Sequence, residues 1–397
     1  MQEIIDQLIS QTDEHWSRHH YSRLVFQDIA AEVLSNVNPA GVLRVSQILE
    51  YLAQPRHHAS SWVSDNAAED FTLFQGRDFS IYVHVWMDTL AQPHHHNWSG
   101  AYQIVSGESL TGFYSFHLKE QIDYQMAFGR LQTESVRLLD PGSVVKVTSG
   151  PSMIHGLQYL QKPGLAISIR LNGTGEAQTT YLRPGIAYIN TRSCHVEQHA
   201  KALNILRLTE PKAYERVFVG IVDKTDLITL FNIIKTALEN RWGVPESVYH
   251  LAHLKHGSHF TLLEKGFEDI LLTHFFAEAR DAFKQRDLRF MLGALSYADT
   301  REDILKLFST YFPEQEPQEL IGHLLAGLLI TVEQDDEFPE YMGKGFGMLA
   351  FGASLDEVRT TITNNYYATE ELEDHLGFML KAQEAMALAP IYRPLFN

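Results

Sequence analysis

Cysteine is almost absent from this chain, with one thiol, Cys194, in 397 residues. A lone cysteine cannot form an intramolecular disulfide, and such sparing use fits a reducing, cytoplasmic setting. Cys194 is expected to be a buried bystander rather than a reactive thiol, despite its neighbour His195. Basic residues are also in short supply. Lys and Arg total 32 against 49 Asp and Glu, a formal net charge of −17. That balance argues against general affinity for nucleic acid or an acidic membrane surface. An anionic substrate would then need a local basic pocket. Long apolar runs are missing too: LIGHLLAGLLITV is broken by a histidine and two glycines, short of the roughly 20 residues that span a bilayer. The segment MQEIIDQLISQTDEHW has no basic start, apolar core or cleavage site, so no signal peptide is expected there.

Hydrophobic residues make up 45% and charged residues 20%, the balance of a soluble globular protein. The length calls for more than one domain. Residues 1–60 read as helices: Ile4, Ile5, Leu8 and Ile9 recur at helical spacing, and so do Ala30, Ala31, Val33, Leu34 and Val37. From 61 to 192 the texture is short strands rich in β-branched and aromatic residues. They run from Phe71–Phe74 and Phe79–Met87 to Ile154–Leu160 and Leu165–Leu171, separated by turns such as Asp140-Pro141-Gly142 and Lys162-Pro163-Gly164. That spacing suits a sandwich or jelly-roll barrel. Residues 193–397 read as a helical domain, with amphipathic runs such as Asp226–Asn240 and helix starts at Asp299-Thr300-Arg301-Glu302 and Ser354-Leu355-Asp356-Glu357. The expected class is therefore α+β: a β-barrel with helices before it and an all-helical domain after it.

Histidine is plentiful, with 20 residues, and the stretch PHHHNWSGAYQIVSG (Pro93–Gly107) holds three in a row. On an extended strand, successive side chains point to opposite faces. His94 and His96 then share a face as a chelating pair, with His95 turned away. His155, in SGPSMIHGLQYL, can supply a third imidazole from a later strand of the same sheet. The expected metal ligands are His94, His96 and His155; an exposed histidine run or a hydrogen-bonded core histidine is the alternative. Two other features promise less. His250, His253, His256 and His259 recur every third residue with no well-placed carboxylate or cysteine nearby in sequence, and read as a structural stripe. GKGFG (Gly343–Gly347) lacks the Gly-Lys-Ser/Thr ending of a phosphate loop and reads as a flexible turn.

The HxH pair, Gly107 and a histidine following a Pro/Gly turn together resemble the cupins. The first cupin motif carries a glutamate after HxH; here that place falls near Gly100 or Ala101, and the glutamate is absent. Three histidines without a carboxylate resemble the cysteine dioxygenase-like thiol dioxygenases, in which HxH is followed by a cysteine or, in many bacterial members, a glycine that Gly100 matches. The resemblance covers roughly residues 71–190. It implies a non-haem Fe(II) dioxygenase acting, with O2, on a small thiol or other anionic metabolite. Two departures weaken cysteine itself as substrate. The family's Ser-x-His-x-Tyr strand aligns with Ser168, Arg170 and Asn172, and its carboxylate-clamping arginine falls near Leu73.

Three neutral imidazoles leave a divalent ion its full charge. Fe(II) is the expected metal, although imidazole also suits Zn, Ni and Cu, and Mn stays open. Along Leu165–Asn172, Ser168, Arg170 and Asn172 share the face opposite Leu165, Ile167, Ile169 and Leu171. Arg170 is expected to bind a substrate anion or to pair with an internal acid. Tyr102 and Ser168 are further catalytic candidates, and Trp98 and Asn172 substrate-binding ones. The alternative function is a cupin that senses a ligand, with the helical half as an interaction or homo-oligomer surface.

Overall fold

A computed structural model describes residues 1–53, 69–87, 91–173, 177–189, 194–330, 340–365, 372–389 and 392–396. The strands in chain order are β1 (Glu69–Gln75), β2 (Phe79–Trp86), β3 (Ala91–His95), β4 (Gly100–Ser106), β5 (Ser109–Gln121) and β6 (Met126–Leu139). They continue as β7 (Val144–Val147), β8 (Ile154–Tyr159), β9 (Gly164–Leu171), β10 (Thr179–Leu182) and β11 (Ile186–Ile189). A five-stranded sheet runs β1-β2-β9-β4-β7, and the second sheet closes on itself as β10-β11-β6-β5-β8-β3. This is a jelly-roll β-barrel core with helices before and after it in the chain, the expected class.

Two helices before the barrel, α1 (Gln2–Arg18) and α2 (Phe26–Val37), cover one face of the five-stranded sheet. Leu8, Trp16, Phe26, Ile29 and Leu34 meet Ile81, Val83, Ala101, Val105, Ile167 and Ile169 there. Period-2 alternation puts those apolar residues on one side of β2, β4 and β9, and sends the intervening side chains into the barrel. The buried Gln103 ties the two layers: its amide donates to the Leu34 carbonyl at 3.3 Å and its oxygen accepts from the Ala40 amide at 3.2 Å. Between the sheets, Trp86, Trp98, Tyr102 and Ile104 pack with Leu157 and Tyr159.

The chain divides into two compact units, 1–277 without Val136–Leu138, and 278–397 with them. The change from strands to helices comes near residue 193, whereas the units divide after Ala277. Helices of 194–277 therefore share a core with the barrel: Phe218, Phe231, Phe260 and Phe267 pack with Met126, Phe128, Leu182, Ile186 and Tyr188. The second unit is helical among its described residues, apart from its short piece of β6. Its helix starts fall where the sequence places them. Thr300 caps Arg301–Tyr311 with Asp303 in a reciprocal box, and Ser354 and Glu357 do the same before Leu355–Asn365.

Two expectations are corrected. Cys194 is exposed at a helix start, not buried. GKGFG is not a turn; it lies within the helix Glu340–Ala350, where Gly343 and Gly347 meet the preceding helix, Pro317–Ile330. A Cβ on Gly343 would stand 2.0 Å from His323 Nδ1, so a bare backbone is what lets the two helices approach. Within the histidine stripe, His253 meets Glu264 at 2.8 Å, and His259 meets Glu120 at 3.1 Å. No described helix is long and apolar enough to cross a membrane.

Candidate metal centre

Strand β3 carries the histidine run and pairs on both sides, with β8 and with β10. Pro93 has no N–H for a ladder bond, and the β3–β8 register shifts between Ala91 and His94. After that irregularity His94 lies opposite His155, and His95 opposite Ile154. The alternation read from sequence holds. His95 turns away: its Nε2–H donates to the Ala177 carbonyl at 3.3 Å, which leaves Nδ1 to accept from the Tyr181 hydroxyl at 2.8 Å.

His94, His96 and His155 converge, with one candidate ligand atom from each lying within 4.8 Å of the others. The ring centroids are 4.7 Å (His94–His96), 4.9 Å (His94–His155) and 4.9 Å (His96–His155) apart. Burial drives all three rings towards the neutral form. His94 is pushed down to about 4, chiefly by burial against the opposing bond to Gln92. His96 and His155 lie well below the ordinary histidine value, first through burial and then through the neighbouring imidazoles.

The donor set fits a metal ion on geometric grounds. Nε2 of His96 and Nε2 of His155 are 2.8 Å apart, so a proton or a cation must lie between two lone pairs. The third nitrogen decides between them. His94 Nδ1–H donates to the Gln92 carbonyl at 2.8 Å, the kind of outer bond that fixes a ligating histidine's tautomer, and its Nε2 lone pair is left free. A proton serves two of the three nitrogens; a metal ion serves all three. Nδ1 of His96 and of His155 is buried without a hydrogen-bond partner among the described residues. Among those residues this is the one cluster of metal-ligating side chains.

The wall of the site belongs to the five-stranded sheet and the bend after β3. Trp98 lies beside His96, ring centroids 4.6 Å apart, and the Tyr102 ring is 6.0 Å from His155. The Tyr102 hydroxyl is buried with no hydrogen-bond partner among the described residues, and burial pushes its pKa up, so it stays a phenol. Ser168 and Arg170 face inward as the alternation requires. Asn172 is engaged elsewhere: it accepts from the Ser80 hydroxyl at 2.8 Å and donates to the Gly76 carbonyl at 2.9 Å.

Two residues of this wall went unnoticed in the sequence, Asp70 on β1 and His84 on β2, which pair across the hairpin. Arg170 has its acid partner in Asp70, Nη2 to Oδ2 being 3.6 Å. His84 Nδ1 is 2.5 Å from Asp70 Oδ1, and His84 Nε2 is 2.8 Å from Arg170 Nη2. Burial pushes the Asp70 carboxyl up, but His84 and Arg170 outweigh it and hold it below its ordinary value. A histidine in the otherwise apolar run FSIYVHVW was the available signal.

No protein-family model and no curated protein matches the chain. Among solved structures it is similar to a DMSP lyase from Ruegeria pomeroyi, at 17% identity and a TM-score of 0.21, over 28% of this chain and 50% of that one. This chain thus spans half the length of that lyase. A double-stranded β-helix protein from Klebsiella pneumoniae is 14% identical, TM-score 0.21, over 36% and 95% of the two chains. An oxalate oxidase is 15% identical, TM-score 0.21, over 41% and 80%. Likenesses at these TM-scores carry no weight for site or activity, which rest on the geometry above.

Proposed function

We propose that the protein is a cupin-type, metal-dependent oxygenase that uses Fe(II) at His94, His96 and His155 to join O2 to a small thiol or other anionic metabolite. The observation that carries this reading is the convergence of three buried, neutral imidazoles with no carboxylate in the cluster. A divalent ion held by neutral donors alone keeps its full charge and, when octahedral, open positions for an anionic ligand and for O2.

The chain's own residues would do the rest. Trp98 stacks beside His96 and excludes water from that flank. Tyr102 offers a protonated hydroxyl with no partner among the described residues, suited to donating a hydrogen bond to a ligand. The Arg170 guanidinium keeps Nη1 without a hydrogen bond to any described residue, and that group is the proposed contact for the metabolite's anionic end, with Ser168 bracing its Nε at 3.0 Å. The test is metal analysis of anaerobically purified protein, followed by O2 uptake with a panel of small thiols and carboxylates. Iron near one equivalent and ligand-dependent O2 consumption are expected. Tight zinc with no O2 uptake under any condition would overturn the oxygenase reading and leave a hydrolytic or binding centre.

A further inference from the structure

The inner face of the five-stranded sheet holds a polar cluster that the metal ligands do not need: Asp70 on β1, His84 on β2, and Ser168 and Arg170 on β9. Its hydrogen bonds follow from Asp70, because an ionised carboxylate can only accept. Arg170 Nη2 lies over the His84 ring, 2.8 Å from Nε2 and 3.4 Å from Nδ1. The proton of the neutral ring then sits on Nδ1 and is donated to Asp70 Oδ1 at 2.5 Å. Arg170 Nε donates to Ser168 Oγ at 3.0 Å, which leaves the serine proton to point at His84 Nε2, 2.8 Å away. The flat faces of the guanidinium are held as well, 4.5 Å from the Tyr82 ring centroid and 4.5 Å from that of Trp98. Trp98 is also the residue that lies against His96.

Nε of this buried cation is thus bonded and Nη2 lies against His84 and Asp70, while Nη1 has no hydrogen bond to any described residue. A counter-charge alone would not require such a frame. Asp70 already lies 3.6 Å from Nη2, yet Nε is held by Ser168, whose hydroxyl is oriented by an imidazole whose tautomer the carboxylate fixes.

We propose that Asp70 and His84 are positioning residues that hold the Arg170 guanidinium so that Nη1 is presented to the anionic end of a ligand at the three-histidine centre. This rests on the reading of that centre given above. It makes a signed distinction. If Asp70 were only a counter-charge, Asp70→Asn would make the pocket more positive and strengthen anion binding; as a positioning residue, its loss weakens it.

The experiment uses the full chain loaded with Co(II) in place of iron and titrated with thioglycolate and with 2-mercaptoethanol. These probes share a thiol and differ in carboxylate against hydroxyl. Sulfur-to-cobalt charge-transfer absorption reads each Kd, and the ratio of the two isolates the contact to Arg170. In the wild type thioglycolate is expected to bind about tenfold or more tighter, the size of one charge-assisted hydrogen bond. Arg170→Met, His84→Leu and Asp70→Asn should bring the ratio down towards one, with cobalt content unchanged. His84→Gln should keep most of it, since a glutamine amide offers an acceptor and a donor at similar spacing. A 15N spectrum of the imidazoles, assigned by the signal that vanishes in His84→Gln, should show His84 neutral with its proton on Nδ1 near pH 7. A higher ratio in Asp70→Asn, a wild-type ratio in folded His84→Leu, or a proton on His84 Nε2 would each overturn the positioning role while leaving the metal centre intact. Failure to take up cobalt, or to bind either thiol, would instead overturn the reading of the centre, and this proposal with it.

Discussion

His94 and His155 face each other across the β3–β8 ladder, paired in register. Cross-strand neighbours stand at nearly fixed separation because the backbone ladder sets it. Two of the three candidate ligands are therefore placed by hydrogen bonding of the sheet, not by side-chain choice. His96 completes the set from just past the end of β3, where the chain is freer to adjust.

Replacing each histidine of the run separately should divide them sharply. His94→Ala, His96→Ala and His155→Ala are each expected to abolish stoichiometric metal, measured by elemental analysis after anaerobic loading. His95→Ala should load as the wild type does, because its ring is held by Tyr181 and Ala177 on the other face. It should cost only about 1 kcal/mol of stability for the hydrogen bonds lost. Loss of metal in His95→Ala alone, with His94→Ala unaffected, would mean that β3 sits one residue out of the register described.

Acid should weaken the metal-free fold in a defined window. His94 is pushed down to about 4, and His96 and His155 lie well below the ordinary histidine value, burial being the main cause. The unfolded chain titrates near 6.5, so between the two values it binds more protons than the folded one. Stability is then fully present above about pH 6.5 and is lost as pH falls towards 4. At pH 5 the loss is about 2 kcal/mol for each imidazole that stays neutral in the fold. Urea unfolding of the metal-free protein at pH 7.5 and pH 5 measures it, and the drop should shrink in His155→Phe. An unchanged drop in that variant would place its origin outside the triad.

The triad was legible because strand alternation acts on sequence directly: HxH on one face follows from the pleat, and the Pro/Gly turn before His155 marks a further strand. Strand β3 itself was harder to read. Pro93 and a polar histidine run carry no β signal, and the strand forms because both neighbours pair with it. Likewise Asp70 and His84 are ordinary residues in their own segments; their meaning comes from hairpin register, which places them opposite each other. Arg170 was recognisable as out of place on an apolar strand, but its partner lies 100 residues away in sequence. GKGFG misled for a related reason. Glycine is a poor helix former in isolation, and what keeps it helical is the close approach of a second helix, which no local pattern records.

Gly100 should tolerate no side chain. A Cβ there would stand 2.0 Å from the Ile169 carbonyl oxygen, and its φ is +157°. Gly100 pairs with Arg170 across β4–β9, so the strain would fall on the strand that carries the site's cation. Gly100→Ala is expected to cost about 1–3 kcal/mol, and Gly100→Cys about the same despite the cysteine that some three-histidine dioxygenases carry at the matching place. Denaturant midpoints of both variants check this. A wild-type midpoint in either would show that β4 and β9 can separate at low cost.

The Asp70–Arg170 pair allows a stability test that needs neither metal nor ligand. Both side chains are largely buried, 9% and 16% exposed, so removing one leaves the other's charge poorly solvated. Breaking a buried pair from one side costs about 3–5 kcal/mol, whereas removing both charges together can be close to neutral. Arg170→Met is therefore expected to destabilise by about 3 kcal/mol, because Asp70 keeps only the neutral His84 beside it. Arg170→Lys should recover part of this, retaining charge but not the fork that reaches His84 and Ser168 together. Asp70→Asn combined with Arg170→Met should recover more, giving a coupling energy of at least about 1 kcal/mol in a double-mutant cycle. Denaturant unfolding of the four proteins measures it. Strictly additive losses would mean that the two side chains do not sense each other, and that Arg170 is held by its other neighbours, Ser168, His84 and the Tyr82 and Trp98 rings.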